Sequence, residues 1–232
     1  MPSESVLLDS PVRSVRRGAG GVELLTRSGR AIRARAAVLA MPPQLSAGLE
    51  HEPPLPEALA AAMRAQPTFY ATAAKACLVY PDGKAFWREA AAAGALPTSA
   101  VAYELYDSCG KDGEFPCLVA FVDRSADCGE PAQVLDHIVE LLASQYGELA
   151  RQYAHFEFVP WADEPFTTAN PEQPRDQMPS MQPELAEGVD GVIFLAGTET
   201  SSDARSLGKL ESAVLSGARA GRLAAEAAAA AA

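Results

Sequence analysis

The 232-residue sequence lacks several patterns that identify common classes of protein. No apolar run approaches the roughly 18 residues of a membrane-spanning helix, and residues 1–4 lack the basic-then-apolar layout of a secretory signal. Histidine occurs three times at scattered positions, and neither HExxH nor GxSxG is present. These absences argue against a membrane protein, a zinc protease and an α/β-hydrolase. They favour a cytoplasmic protein without a metal site.

Cysteine is also sparse. Cys77, Cys109, Cys117 and Cys128 show no CxxC spacing and have no histidine at ligand spacing. We therefore predict reduced, mostly buried thiols rather than a zinc site or a redox-active dithiol.

Charge is unevenly distributed in a chain with a net charge of −11 and 48% hydrophobic residues, enough for a real core. Residues 1–35 carry seven arginines and three acidic residues. They form either a nucleic-acid patch or the solvated face of a β-hairpin. The second interpretation is favoured because no aromatic residues lie among the arginines and the acidic remainder would repel phosphates.

A strand, a turn and a helix are predicted near the C-terminus. Val192–Leu195 is a short apolar run typical of a strand buried on both faces, and Gly197 with Thr198–Thr200 forms a polar turn. The residues expected on the apolar face of the next helix recur at three- and four-residue steps: Leu207, Leu210, Val214, Gly217, Ala218 and Gly221. At its small residues this face is thin enough for another backbone to lie against it. The arrangement fits an anion site at a helix N-terminus, but it is equally typical of an ordinary α/β domain.

The residue identities of this segment are more specific than its strand–turn–helix pattern. Residues 194–200 (FLAGTET) and 208–220 (GKLESAVLSGARA) resemble the C-terminal flavin signature of the flavin-containing amine oxidases, the monoamine and polyamine oxidase family. The resemblance implies that Gly197, Thr198 and Glu199 contact the ribityl and pyrophosphate region of FAD. It also implies that the helix at Leu210 points its N-terminus at the flavin ring. No cysteine lies between Trp161 and Gly197, so non-covalent FAD is expected.

The N-terminal segment, Val6 to Pro43, has the alternation and glycine-rich turns of a β-meander. Residues 8–12 and 37–43 also resemble the amine oxidase meander. The resemblance implies that the backbone of Val12 lies near the adenine end of FAD. Taken alone, Val12 is an ordinary strand residue.

Lys75 is the single charge in the apolar string of residues 73–80. Burying a lysine is costly, so Lys75 is either a functional residue or an edge residue that extends to water. The resemblance, which includes the following Phe86-Trp87-Arg88, implies that Lys75 holds a water against flavin N5. It also implies that Trp161 stands beside this lysine, whereas taken alone Trp161 is typical of a core aromatic.

Two positions of the family's aromatic cage depart from its pattern. Lys209 occupies one, and Thr167 and Thr168 fall at the other. An ammonium about 4 Å from a second positive charge costs about 4 kcal/mol at an effective dielectric near 20. A Lys209 that faces the substrate therefore favours an amino acid or acidic amine over an arylalkylamine. A slightly different helix register would point Lys209 to solvent instead.

The predicted fold is mixed α/β. An incomplete Rossmann-like FAD-binding domain comprises residues 1–50 and 187–228, a mixed-sheet substrate-binding domain comprises residues 51–186, and residues 229–232 are an alanine tail. The middle region is expected to contain a helix within 51–66, strands near 70–80, 100–106, 115–122 and 156–161, a helix over 131–146 and a loop over 170–187.

The GxGxxG turn that opens these enzymes is missing, because Gly18–Gly21 lies between two meander strands. We therefore expect the chain alone to hold FAD weakly and Val192–Leu195 to lack a sheet neighbour. The implied reaction is oxidation of a small-molecule amine, with hydride transfer to FAD, imine hydrolysis and reoxidation by oxygen to give hydrogen peroxide. The alternative is a non-catalytic remnant or subunit that needs a partner chain or upstream segment for the nucleotide half.

Overall fold

The chain folds into two compact units of mixed α/β structure, Met1–Phe69 with Asp176–Ala232 and Tyr70–Arg175. The computed structural model describes residues 5–81, 83, 85–90, 96–123 and 129–230. The strands are β1 (Val12–Gly18), β2 (Gly21–Thr26), β3 (Ala31–Ala34), β4 (Ala37–Leu39), β5 (Glu50–Glu52), β6 (Ala74–Val79), β7 (Ala102–Asp107), β8 (Cys117–Val122), β9 (His155–Pro160) and β10 (Ile193–Leu195). The helices are α1 (Pro43–Ala47), α2 (Glu57–Ala65), α3 (Phe86–Ala90), α4 (Pro131–Tyr146), α5 (Glu184–Glu187) and α6 (Leu210–Ala230).

The first unit contains the predicted meander. β1, β2 and β3 are antiparallel neighbours, and β5 lies parallel to the other edge of β1. The expectation of a strand from Val6 to Leu8 is wrong: these residues are 44–80% exposed and outside any strand. Pairing with β2 begins only at Val12, opposite Thr26, so the preceding residues have no ladder to join.

Arg17 differs from the arginines of the solvated hairpin face. Its side chain is buried, and its guanidinium pairs with Asp190 at 2.9 Å and donates to the Pro54 carbonyl at 3.0 Å. In contrast, Arg16 and Arg33 are exposed and pair with Glu23. Arg17 therefore ties β1 to two distant loops of the same unit.

A separate two-stranded parallel sheet joins β4 to β10, with Ile193 opposite Ala37 and Leu195 opposite Leu39. Every residue of β10 is buried, as predicted for a strand covered on both faces. The expectation that this strand lacks a sheet neighbour is wrong, because β4 supplies one. Ile193 and Leu195 face the core with α2, whereas Phe194 packs towards α6.

Helix α6 buries a different face from the predicted one. Leu210 and Val214 of the predicted apolar stripe are 85% and 67% exposed, and Gly217, Ala218 and Gly221 are also exposed. The buried residues are Ser212, Ser216 and Ala220, and Ala220 packs against Phe194 and Ala196. The helix also begins at Leu210 rather than Leu207, following a turn that ends in Gly208 at φ +77°.

The second unit is an antiparallel sheet in the order β7-β8-β6-β9, with α4 packed on one face. Helix α4 has the predicted bounds, since Pro131 occupies its first turn and Glu130 and Gln133 form a capping box. Its apolar residues, including Ile138 and Leu142, complete a core with Ala76 and Leu78 of β6.

Three cysteines in this unit, Cys77, Cys109 and Cys117, are free and half-buried, so they are more accessible than predicted. The fourth, Cys128, lies outside the described residues.

Candidate functional site

The predicted site residues are divided between the two units. Val12, Gly197, Thr198, Glu199, Lys209 and Leu210 belong to the first unit, and Lys75, Trp161, Thr167 and Thr168 belong to the second.

The Gly-Thr-Glu turn directly follows β10. Gly197 adopts φ +147°, and a Cβ at this position would lie 3.1 Å from Glu199 Oε2, so a side chain here would crowd the carboxylate. The Thr200 amide donates to the Gly197 carbonyl at 3.2 Å and closes a 3₁₀ turn over Thr198–Thr200. Glu199 is 5% exposed, and its Oε2 accepts a hydrogen bond from the Thr198 hydroxyl at 2.9 Å.

Two side chains of α6 hold this turn in place. The Ser216 hydroxyl accepts from the Gly197 amide at 3.0 Å and donates to the Gly197 carbonyl at 2.9 Å. Arg219 donates to the Thr200 carbonyl at 2.9 Å and to the Leu195 carbonyl at 3.0 Å, and burial lowers the pKa of its guanidinium. Sequence reasoning missed both residues. The available signal was the stripe of small and polar residues at Ser212, Ser216 and Ala220, four residues apart.

Gln66 supports the turn from the opposite side. Its fully buried amide group donates to the Glu199 carbonyl at 2.9 Å and to the Ser180 carbonyl at 2.7 Å, and it accepts from the Ser180 amide at 3.1 Å. Gln66 is separated from its partners by more than 100 residues, and no local pattern indicates its role. The turn is therefore fixed through both of its flanks.

The chemistry of this turn is compatible with the polyol portion of a flavin cofactor, because the hydroxyl of Thr198 and the carboxylate of Glu199 are groups that hydrogen-bond with hydroxyls. The carboxylate would repel a phosphate, whereas Gly197 permits close approach to the backbone. The N-terminus of α6 adds a positive electrostatic end. Val12 is half-buried at the start of β1, whereas Lys209 and Leu210 are exposed.

Lys75 lies on the face of β6 opposite the α4 core. It pairs with Phe121 of β8 and Val159 of β9, and its Nζ lies 4.8 Å from the centroid of the Phe121 ring. The side chain is exposed, as a lysine that extends to water requires, although β6 is an interior strand rather than an edge of the sheet. Alternation along β6 places the neighbouring Ala74 and Ala76 in the core instead. The proposed role of Lys75 towards a flavin stays a prediction.

An aromatic group surrounds the ring that Lys75 contacts. Tyr70, Tyr103 and Tyr106 have ring centroids 6.0, 6.1 and 5.7 Å from that of Phe121. Burial raises the pKa of Tyr103, and Arg175 lies over its ring at 3.8 Å. Sequence reasoning missed this group because strand pairing brings its members together from different elements.

The remaining site residues of the second unit follow β9. Trp161 begins the turn after Pro160, which pairs with Ala74, and it is 40% exposed. Its exposure argues against a role as a core aromatic. Thr167 is half-buried, and the buried Thr168 accepts a hydrogen bond from the Asn170 amide at 3.1 Å. The Thr168 hydroxyl is thus engaged in a local turn.

A cavity of about 450 Å³ in the second unit adjoins the start of β6. Its charged lining comprises Asp123, Asp163, Glu172 and Arg175, and Arg175 pairs with Asp123 at 2.8 Å. The excess of carboxylates makes this cavity more compatible with a cationic group than with an anionic one.

Over the described part of the chain, no group of three or more histidine, cysteine or acidic side chains is arranged to hold a metal ion. Among the same residues, no helix combines the length and apolar character needed to cross a membrane.

A family model described as flavin containing amine oxidoreductase matches residues 1–224. The chain belongs to this family, and the resemblance of its C-terminal signature is confirmed.

Solved structures of amine oxidases resemble the chain. Cyclohexylamine oxidase from Brevibacterium oxydans IH-35A is 24% identical, with a TM-score of 0.74 over 97% of this chain and 49% of that chain. A putrescine oxidase triple mutant redesigned for cofactor binding is 25% identical, with a TM-score of 0.73 over 97% and 50% of the two chains. Wild-type putrescine oxidase bound to putrescine is 25% identical, with a TM-score of 0.71 over 97% and 49%. The chain thus spans about half the length of these structures. A search among curated proteins finds no match.

Proposed function

We propose that this chain is the C-terminal part of an FAD-dependent amine oxidase that acts on a small-molecule amine with oxygen as the electron acceptor. The observation that carries the proposal is the Gly197–Thr200 turn. Ser216, Arg219 and Gln66 fix this turn in a chain whose family match extends over residues 1–224. Rigid support of a cofactor-contacting turn is typical of a site that must orient its ligand.

Bound FAD would accept a hydride from the carbon that bears a neutral amine and return the electrons to oxygen, giving hydrogen peroxide. Thr198 and Glu199 would hold its ribityl and pyrophosphate region, and the backbone of Val12 would lie near its adenine end. The N-terminus of α6 at Leu210 would favour negative charge on the flavin ring.

Lys75 would hold and orient a water near the reacting atoms, and Trp161 would form a wall that limits access of other water. The exposure of both residues supports these roles, since a group that must contact cofactor or water cannot lie in the core. The imine product would then be hydrolysed to release a carbonyl compound and ammonia, or an amine where the substrate nitrogen is substituted.

Each unit carries charged residues that bear on the substrate class, and the two sets favour different substrates. If Lys209 faces the substrate, it favours an amine that carries a carboxylate. The carboxylates around the cavity beside β6 instead favour a second cationic group. Thr167 and Thr168 leave the other cage position without an aromatic ring.

Lys209→Tyr separates these substrate classes. If Lys209 faces the substrate, this variant should lose roughly tenfold in preference for acidic amines over arylalkylamines, measured as the ratio of kcat/KM values. Equal ratios in the variant and the wild type would show that Lys209 does not select the substrate.

A non-catalytic subunit is the second candidate. The exposed apolar stripe of α6 favours it, because such a surface is typical of a protein interface. In this case a partner chain or upstream segment would supply the dinucleotide-binding half.

Visible absorption after reconstitution with FAD tests both candidates. We expect the chain alone to retain little FAD, because half a binding site cannot offset the ordering of a large cofactor. Addition of a segment that carries a GxGxxG unit should restore flavin bands and amine-dependent formation of peroxide. A yellow, stoichiometric complex of this chain alone would refute the expected dependence. Flavin bands without amine oxidation would favour the non-catalytic candidate.

A further inference from the structure

Two cysteines far apart in the sequence meet on one face of the second unit's sheet. Cys77 pairs with Val119, and Cys117 pairs with Val79 in the antiparallel ladder between β6 and β8. Residues two apart on a strand share a face, so Cys77 and Cys117 are diagonal neighbours. Their Sγ atoms lie 3.1 Å apart.

This separation is close to what a disulfide requires. An S–S bond measures about 2.0 Å, so the sulfurs need to approach by about 1 Å, through side-chain rotation and a small shift between the two strands, because diagonal neighbours have Cα atoms about 7–8 Å apart. Cys109 is engaged elsewhere: its thiol hydrogen-bonds with Asp107, and its sulfur makes a weak contact of 4.0 Å with the Cys117 carbonyl. The geometry therefore selects one pair among the three described thiols.

We propose that Cys77 and Cys117 are a reversible thiol modification site, in which hydrogen peroxide oxidises the pair to a disulfide that links β6 to β8. The proposal departs from the sequence-based expectation of no redox-active dithiol. That expectation rested on the absence of CxxC spacing. Strand pairing instead joins residues separated by 40 positions.

The oxidation proceeds in two steps. The Cys77 thiolate attacks one oxygen of hydrogen peroxide, the O–O bond breaks, and the leaving hydroxide takes a proton to form water. The Cys117 sulfur then attacks the sulfenic sulfur of Cys77 and loses its thiol proton, the S–O bond breaks, and the leaving hydroxide takes that proton to form a second water. Two thiols lose two electrons in total, and one peroxide is reduced to two waters.

Burial raises the pKa of the Cys117 thiol to about 12, with its Cys77 neighbour as the next cause. The Cys117 thiol is therefore almost fully protonated at neutral pH, and we assign it to the second step. Both cysteines are half-buried, so a molecule as small as peroxide can reach the pair.

The disulfide would act on the strand that carries Lys75. Lys75, Cys77 and Val79 alternate onto the same face of β6, and the new bond would limit movement of this strand relative to β8. Hydrogen peroxide is the product of the proposed amine oxidation. The disulfide proposal rests on that function only for the source of its oxidant. Formation of the disulfide needs neither flavin nor turnover.

The test treats the reduced, flavin-free chain with hydrogen peroxide, blocks the remaining thiols by alkylation and maps linked peptides by mass spectrometry. We expect a Cys77–Cys117 linkage, loss of two alkylatable thiols and full recovery with a thiol reductant. Cys109→Ser and Cys128→Ser are matched controls that should form the same linkage. Cys77→Ser and Cys117→Ser should form none. Circular dichroism establishes that each variant is folded.

Four alkylatable thiols after peroxide treatment would overturn the proposal. A linkage that involves Cys109 or Cys128 would also overturn it, as would irreversible oxidation of Cys77 in the wild type. Because the probe is added peroxide, these outcomes are distinguishable from a failure of amine oxidation. Absence of turnover in a flavin-loaded preparation, together with a Cys77–Cys117 linkage, would reject the proposed function alone.

Discussion

Lys75 is a candidate functional residue on two separate grounds. In the sequence it is a charge inside an apolar string, which is costly to bury. The structure places the ammonium on the exposed face of β6, over the ring of Phe121. Accessibility now supports its proposed role, since a residue that positions water must reach water.

The role of Lys75 is tested by Lys75→Met in a flavin-loaded preparation. The substitution keeps chain length and removes the charge, so flavin should remain bound while amine oxidation slows by roughly 10²-fold. The measurement is stopped-flow absorbance of flavin reduction and reoxidation. Lys111→Met, at an exposed turn, is the matched control and should be unchanged. Unaltered rates in Lys75→Met would remove Lys75 from the site.

The Arg88–Asp107 pair predicts a pH dependence of stability. Burial alone would raise the pKa of Asp107, but hydrogen bonds from Arg88 and Cys109 outweigh it and lower the pKa to about 2. Because the folded pKa lies below the unfolded value of about 4, the pair stabilises the protein above pH 4. Its contribution is lost as the pH falls towards 2. Both side chains are about a third exposed, so screening limits the effect to about 1 kcal/mol.

Arg88→Met should therefore lower the free energy of unfolding at pH 7 and lower it by about half as much at pH 3. Urea denaturation at the two pH values measures the difference. Asp107→Asn should show the same pattern, with a larger loss of stability at pH 7 than at pH 3. Equal losses at both pH values would instead indicate that Arg88 acts through packing.

At the scale of elements, α6 shows why periodicity identifies a helix more reliably than it identifies the buried face. Leu210, Val214 and Ala218 fit one stripe, while Ser212, Ser216 and Ala220 fit another. Hydrophobicity favours the first stripe, but small residues allow the helix to lie close to β10. The close approach of Ala220 to Phe194 and Ala196, together with the hydrogen bonds of Ser216, decides which stripe is buried.

Two identical substitutions on α6 test this assignment. Ala220 is fully buried and Ala218 is exposed. Ala220→Leu should lower the free energy of unfolding by about 1–3 kcal/mol through overpacking. Ala218→Leu should change it by less than about 0.5 kcal/mol. Urea denaturation of both variants measures these values, and the reverse order would show that the predicted face is the buried one.

At the scale of the whole molecule, the chain spans about half the length of the solved amine oxidases that it resembles. The expected apolar edge of β10 is not exposed in the way predicted, because β4 covers one edge of the strand and both of its faces are packed. Exposed apolar side chains lie on α6 instead. Leu210, Val214 and Leu215 are 85%, 67% and 49% exposed. These exposed apolar side chains predict that self-association of the isolated chain would depend on α6.

We expect the chain alone to associate with increasing concentration, as measured by size-exclusion chromatography with light scattering. Val214→Lys should reduce this association, because it places a charge in the centre of the apolar stripe. Val6→Lys, which changes an apolar residue that is 52% exposed and lies outside the helix, is the control and should have little effect. A monomeric wild type at all concentrations would contradict the prediction.

Local patterns in the sequence determined the mixed α/β class, the bounds of α4 and the turn after β10. Each depends on neighbours within a few residues: the capping box of Glu130 and Gln133, the period of α4, and the freedom of Gly197 to adopt φ +147°. The signature around this turn was also sufficient to indicate the family. Such features are encoded where they occur and need no knowledge of distant contacts.

Only the tertiary structure decided the pairing of β4 with β10, the buried face of α6 and the support of Glu199 by Gln66. It also decided the proximity of Cys77 and Cys117, which no CxxC motif in the sequence indicated. In each case the partners are far apart in the chain, and several pairings satisfy the local pattern equally well. Strand register and close packing of small residues select one of them, because these interactions exist only once the chain has folded.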